Sequence, residues 1–142
     1  MRQLLPVPSV LLLVLAACGG GGSPSTPSAP SSPGTSSHNA GRDCLQCHGF
    51  SVAGTVYRDD GVTPYPGATV RLTSEPAGGG EVLMSLVTDR SGNFHTGEAV
   101  DWSRGPHTDV TGGTGTLRAM QEPLRRGACN ACHATGERIR AE

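Results

Sequence analysis

The sequence predicts a mainly β fold: a small Greek-key β-sandwich of about six or seven short strands, flanked by two Cys-x-x-Cys-His segments and preceded by a disordered N-terminal tether. Two observations predict it. Apolar and polar residues alternate in short runs, which is the pattern of half-buried strands. Dipeptides such as Asp-Gly, Pro-Gly, Ser-Gly and Gly-Gly separate these runs at strand-like intervals and supply the backbone conformations that tight turns need.

Six runs carry the strand pattern. The clearest is 68–73, in which Val70 and Leu72 share one face, and the run 81–88 has the same alternation and places Met84 in the core. If each run crosses the sandwich once, an even number returns the chain to the end where it started. Both Cys-x-x-Cys-His segments are then expected at the same end, whereas an odd number of crossings, such as seven, would place them at opposite ends. The predicted strands are residues 51–57, 68–73, 81–88, 93–96, 107–111 and 116–120.

Composition limits both the partners and the core. Eleven Lys and Arg against twelve Asp and Glu give a net charge of -1 with no basic block, so nucleic acid is not expected as a partner. The chain has 21 Gly and 11 Pro but only 4% aromatic residues, so the large side chains that usually fill a core are scarce. Something other than side chains is therefore expected to help fill it.

The first 18 residues have the order of a secretory signal. A short cationic start precedes an apolar run over 4–15, too short to span a bilayer, and Leu-Ala-Ala stands directly before Cys18. This ending resembles the lipobox of bacterial lipoproteins, which implies removal of residues 1–17 and a lipid on the Cys18 thiol. Gly19 stands where lipoproteins of the inner membrane usually have Asp, so the resemblance implies an outer-membrane anchor, on the periplasmic or the cell-surface face. An ordinary secretory peptide with an incidental cysteine is the alternative.

A linker separates this signal from the domain. Beyond Cys18, residues 19–37 contain no charge and little except Gly, Ser, Thr and Pro, which predicts a disordered tether spanning about 24 Å on average. Residues 38–142 are enough for one small domain.

Four of the five cysteines form two motifs of the same type, and two such motifs do not arise by chance in a chain of this composition. Two thiols three positions apart can each form a thioether with one vinyl edge of a haem, and the histidine that follows lies beneath the iron as an axial ligand. We therefore expect two covalently bound c-type haems, with the four cysteines as thioethers and the two histidines as proximal ligands. The motifs are Cys44-Leu45-Gln46-Cys47-His48 and Cys129-Asn130-Ala131-Cys132-His133.

These motifs resemble those of c-type cytochromes, and together with the lipobox they resemble small dihaem lipoproteins. The resemblance implies an electron carrier outside the cytoplasm rather than an enzyme. Its expected partners are other redox proteins or cytochromes, the membrane through lipidated Cys18, and further copies of the chain. The alternative function is a haem enzyme or sensor, in which one iron lacks a sixth protein ligand and binds peroxide or a gas.

Three other uses of the cysteines are open. Four cysteines can hold one zinc ion, form two disulfides, or supply a Cys-x-x-Cys dithiol oxidoreductase. Zinc does not explain a histidine after both pairs, and no thioredoxin-like βαβ pattern surrounds either pair.

Few residues can serve as the sixth ligand of a haem iron. His38 is the first candidate, because it lies six residues before Cys44 and such a segment reaches about 20 Å when extended. Met120 precedes the second motif, and a Met ligand would raise the potential relative to a second histidine. His107 and His95 flank an irregular stretch, where ligand loops are often found. Each of these residues can also have a role without haem. The histidines can be solvated surface residues, and Met120 can pack in the core.

Part of the predicted sandwich has a further resemblance. Within 52–94, the segments A-G-T-V-Y, P-G-A-T-V-R-L and V-T-D-R-S-G-N-F resemble the carboxypeptidase-regulatory-like, transthyretin-related β-sandwich. The stretch 101–106 departs from it, because it has no strand character. Such domains serve as scaffolds and adhesion modules, so the resemblance concerns the fold and implies no reaction.

Overall fold

The computed structural model describes residues 37–134 and 136–142. The predicted signal peptide, Cys18 and nearly all of the predicted tether lie outside the described residues. Within these two ranges no helix is long and apolar enough to cross a membrane.

The described part of the chain is mainly β, as the sequence predicts. Each predicted strand corresponds to one of the first six strands, with ends that differ by at most one residue. A single helical turn, α1 (Cys129–Cys132), and two 3-10 helices, Cys44–Gln46 and Trp102–Arg104, complete the elements. The strands are β1 (Val52–Tyr57), β2 (Thr69–Thr73), β3 (Val82–Val87), β4 (Asn93–Thr96), β5 (His107–Thr111), β6 (Leu117–Ala119), β7 (Gly127–Ala128) and β8 (Ile139–Arg140).

The strands form two sheets. One has the order β4-β1-β7, with β8 also paired to β1, and the other has the order β3-β2-β5-β6. Neighbouring strands are antiparallel except for β7 and β8, which run parallel to β1. The chain changes sheet between β1 and β2, β3 and β4, β4 and β5, and β6 and β7, which gives the small β-sandwich that the alternating pattern predicts.

The core contains the alternating apolar residues of both sheets. Val52 and Val56 of β1 are fully buried, and Leu72 of β2 is 1% exposed. Met84 is 8% exposed and belongs to the same cluster, which confirms its interpretation as a core residue. Phe94 of β4 is 2% exposed and is the only phenylalanine in that cluster among the described residues.

Strand β1 brings the two cysteine segments together. The parallel pairing of β7 with β1 places Gly127 beside Val52, so that α1 follows immediately alongside the middle of β1. The segment before the first 3-10 helix returns along the outer face of β1, where the Gly41 amide donates to the Thr55 hydroxyl at 2.9 Å. The cysteine segments are therefore neighbours, as six crossings predict. Seven strands separate them, however, and an odd number would place them at opposite ends, so their closeness comes from the parallel addition of β7 to β1 rather than from the number of strands.

The β7–β1 pairing requires glycine at position 127. A Cβ there would collide with the Ser51 carbonyl oxygen and lie 2.6 Å from the Val52 Cα, and both atoms are backbone and cannot rotate away. Gly127→Ala should destabilise the protein by about 1–3 kcal/mol, as overpacking of a close contact does, measured by chemical denaturation. Gly97→Ala is the matched control, because a Cβ at Gly97 meets nothing within 4 Å. Equal denaturation midpoints for the two variants would contradict the pairing.

Candidate functional site

Both cysteine motifs fold into one helical turn. In the first, the His48 amide donates to the Cys44 carbonyl at 3.0 Å, and in the second, the His133 amide donates to the Cys129 carbonyl at 2.9 Å. Residues four apart on a helical turn lie on the same side. The Cys-x-x-Cys-His spacing therefore gathers two thiols and one imidazole within a single turn in both places.

The two turns are fixed in different ways. The Asp43 carboxylate caps the first 3-10 helix by accepting from the Leu45 amide at 3.1 Å. The second motif follows β7 without a break, so the strand itself fixes where α1 begins. In each motif the first cysteine is half-buried and the second is exposed.

His133 is held in the tautomer that suits a metal ligand. Its Nδ1 lies 2.7 Å from the Glu137 carbonyl oxygen, which can only accept, so Nδ1 carries the proton. The Nε2 lone pair is then free for a metal. A backbone carbonyl on the other ring nitrogen is the usual outer contact of a metal-ligating histidine.

Each motif lines its own cavity. Cys44, Cys47 and His48 line a cavity of about 190 Å³ near the N-terminal segment. The second motif lines a cavity of about 580 Å³, which extends between the sheets to Val70. Phe94 lines both cavities, so this residue belongs to the walls of both.

The absence of a side chain at Gly54 makes room for this shared wall. A Cβ at Gly54 would lie 2.6 Å from the Phe94 ring and 2.9 Å from the Cys129 Cβ. Phe94 and Cys129 therefore pack directly against the β1 backbone at the point where the cavities meet.

Histidines and one phenylalanine form a row at the smaller cavity. The His38 and His48 ring centroids are 5.8 Å apart, and the planes are tilted by 57°. Phe50 stacks on His48 at 5.1 Å and on His95 at 4.4 Å. The row begins at the N-terminal segment and ends on β4.

A buried hydrogen-bond network ties the two motif segments to β1. The Asn130 Oδ1 accepts from the Thr55 amide at 3.0 Å, and its Nδ2 donates to the Thr55 hydroxyl at 3.0 Å and to the Arg42 carbonyl at 2.8 Å. The Thr55 hydroxyl donates in turn to the Asn93 side chain. Thr55, Asn93 and Asn130 are 1%, 3% and 4% exposed. A residue inside the second motif thus holds the backbone two residues before Cys44.

Burial keeps the inner thiols protonated. It raises the pKa of the Cys129 thiol to about 12, with smaller contributions from the neighbouring Cys132, Cys44 and Asp43. Burial and the Asp43 charge also raise the pKa of Cys44. Thiol–disulfide exchange needs a thiolate, so burial disfavours that chemistry at Cys129 and Cys44.

The structure distributes the candidate sixth ligands unequally. His38 and His95 line the smaller cavity, and Met120 lines the larger one together with the second motif. His107 lines neither cavity, and its Nδ1 is buried without a hydrogen-bond partner. Among residues 37–134 and 136–142, no group of three or more His, Cys, Asp or Glu side chains is arranged to hold a metal ion by itself.

Sequence reasoning missed Asn130, Thr55 and Phe94 as residues of the site. Asn130 occupies one of the two variable positions of its motif, where the motif itself requires no particular residue. The one signal was Thr55, a polar residue inside the otherwise apolar strand run A-G-T-V-Y.

Comparisons with protein-family models, with curated proteins and with solved structures find no match for this chain.

The Cys129 environment predicts an alkaline sensitivity of the haem-free protein. Its folded pKa of about 12 lies above the ordinary value of 9.0, so the folded chain keeps a proton that the unfolded chain loses between these values. Stability in urea should therefore fall as pH rises from about 9 to about 12, and Cys129→Ser should remove most of this slope. Cys132→Ser, at the exposed cysteine, should keep it. A slope unchanged by Cys129→Ser would contradict the burial argument.

Proposed function

We propose that this chain is an extracytoplasmic dihaem c-type cytochrome lipoprotein that transfers electrons. The observation that carries the proposal is that each Cys-x-x-Cys-His motif forms one helical turn on its own cavity, and that these cavities meet at Phe94. One motif can have several uses. Two motifs with the same turn, on cavities that share Phe94, support a pair of haem sites.

The residues of both motifs suit the attachment of haem. Cys44 and Cys47 would carry the thioethers of the first haem and Cys129 and Cys132 those of the second, since each pair lies with its histidine on one helical turn. His133 presents a free Nε2 because the Glu137 carbonyl occupies its other nitrogen. The larger cavity of about 580 Å³ lies in the size range of small-molecule and cofactor sites, whereas the smaller cavity of about 190 Å³ lies below it, so the first haem would stand partly outside its cavity.

Each cavity is also lined by a candidate second ligand. His38 lies close to His48, with 5.8 Å between the ring centroids, and both residues line the smaller cavity. We therefore propose His38 as the second histidine that would hold the first haem iron. Met120 is the candidate for the second site, since it lines the same cavity as His133.

A haem held in this way accepts and releases single electrons at its iron. The chain supplies the attachment, the axial ligands and the wall between the two sites. The lipobox resemblance would anchor the domain outside the cytoplasm through Cys18, so its electron donors and acceptors would be other redox proteins of that compartment. No side-chain pair in the described ranges is needed as a catalytic acid and base for this function.

Haem stoichiometry tests the proposal directly. Intact mass of the protein matured in a haem-attaching host should show two added haems that survive denaturation, because thioethers are covalent. The double variants Cys44→Ser/Cys47→Ser and Cys129→Ser/Cys132→Ser should each show one. A wild-type chain with no covalent haem, from a host that matures other such proteins, would favour zinc or disulfides instead.

Axial ligation gives a second test. His38→Ala should convert the first site from low spin toward high spin, seen in the absorption and electron paramagnetic resonance spectra of the variant that keeps only that site. His107→Ala is the control, because His107 lines neither cavity. If His38→Ala changes nothing, the ligand must come from His95 or from outside the chain, and an unliganded iron would favour the gas-binding or peroxidase-like alternative.

A further inference from the structure

The two cavities differ in charge as well as in size. The smaller cavity is lined by one arginine and one aspartate, Arg42 and Asp43, with a net charge of zero. The larger cavity is lined by five arginines and two carboxylates, with a net charge of +3. Its charged residues are Arg118, Arg125, Arg126, Arg138, Arg140, Asp109 and Glu137.

Some of these arginines are already engaged. Arg118 pairs with Asp59 at 2.7 Å and with Glu142 at 3.2 Å. Arg138 donates to the Gly61 carbonyl at 2.6 Å and lies over the Tyr57 ring.

Arg125, Arg126 and Arg140 are exposed, and within the described residues none of their side chains makes a hydrogen bond or an ion pair. Arg140 belongs to β8, whereas Arg125 and Arg126 are consecutive in the chain. They precede β7, and only Gly127 and Ala128 separate them from Cys129. Two consecutive arginines without ion-pair partners on the wall of one cavity suit a ligand that carries two carboxylates.

We propose that Arg125 and Arg126 bind the two propionate carboxylates of the haem held by Cys129 and Cys132, and that this makes the second site the one of higher potential. The inference rests on the proposed function. It adds a carboxylate-binding subsite to the larger cavity and an order between the two sites.

Two differences between the sites act in the same direction. Reduction from iron(III) to iron(II) removes one positive charge, so the arginines that line the larger cavity favour the reduced form. A Met120 ligand raises the potential further relative to two histidines.

The order of potentials sets the direction of electron transfer, from the first site to the second. An external one-electron carrier would reduce the first site, and the electron would then pass to the second, whose cavity shares Phe94 with the first. Oxidation by an acceptor protein would return the second iron to iron(III). The shared wall keeps this transfer within one molecule.

The test is a spectroscopic redox titration of the matured protein. Wild type should give two components, and the Cys44→Ser/Cys47→Ser variant, which keeps only the second site, should give the higher one. Arg125→Gln/Arg126→Gln should lower the potential of that component and leave the other in place. Arg125→Lys/Arg126→Lys, which keeps the charge, should retain most of the wild-type potential.

Arg90→Gln is the matched control, because Arg90 is exposed and lines neither cavity. It should shift neither component. The inference is overturned if the second site has the lower potential, or if the Arg125/Arg126 glutamine variant leaves its potential unchanged while intact mass shows two haems. A wild-type protein without covalent haem would instead refute the proposed function, and the mass measurement separates these outcomes.

Discussion

The arrangement of both motifs depends on the hydrogen bonds between Asn130 and Thr55. β7 pairs with β1 only at Val52 and Ala53, and two residues further along the Asn130 side chain accepts from the Thr55 amide in place of a strand carbonyl. The Thr55 hydroxyl donates once and accepts twice, so it has no unused hydrogen-bonding capacity. Because these groups are buried, each lost partner would leave an unsatisfied polar group at a cost of about 1–3 kcal/mol. The network therefore fixes α1 and the segment before Cys44 against the same strand.

This constraint connects the fold to the proposed chemistry. Since Asn130 belongs to one motif and holds the backbone next to the other, neither motif can move without disturbing its neighbour. Gly54 lets Phe94 and Cys129 pack against β1 where the two cavities meet. Large aromatic side chains are scarce in this chain, and the space beside the second motif is correspondingly a cavity of about 580 Å³. A porphyrin in that cavity would complete the core.

Much of the fold could be predicted from the sequence, and the reason lies in strand length. β1 to β6 are long enough to show alternation or lie between clear turn signals, whereas β7 and β8 have two residues each and exist only because β1 supplies a partner. Local spacing also predicted which thiols and imidazoles come together, because a single helical turn fixes them.

The contacts between distant segments could not be predicted in this way. Asn130 and Thr55 are 75 residues apart in the sequence, and they come into contact only because β7 pairs in parallel with β1. The sequence likewise could not distinguish Met120 from His107 as a ligand. One lines the larger cavity and the other lines none, and this depends on how the second sheet faces the first.

The central claim is that one network holds two haem sites side by side, and the magnetic interaction between the two irons tests it most directly. The electron paramagnetic resonance spectrum of the oxidised, matured protein should differ from the sum of the spectra of the two single-site cysteine variants, because the sites share the Phe94 wall. Asn130→Ala, which releases the Arg42 backbone, should weaken that difference. A wild-type spectrum equal to the sum of the two single-site spectra would contradict the account.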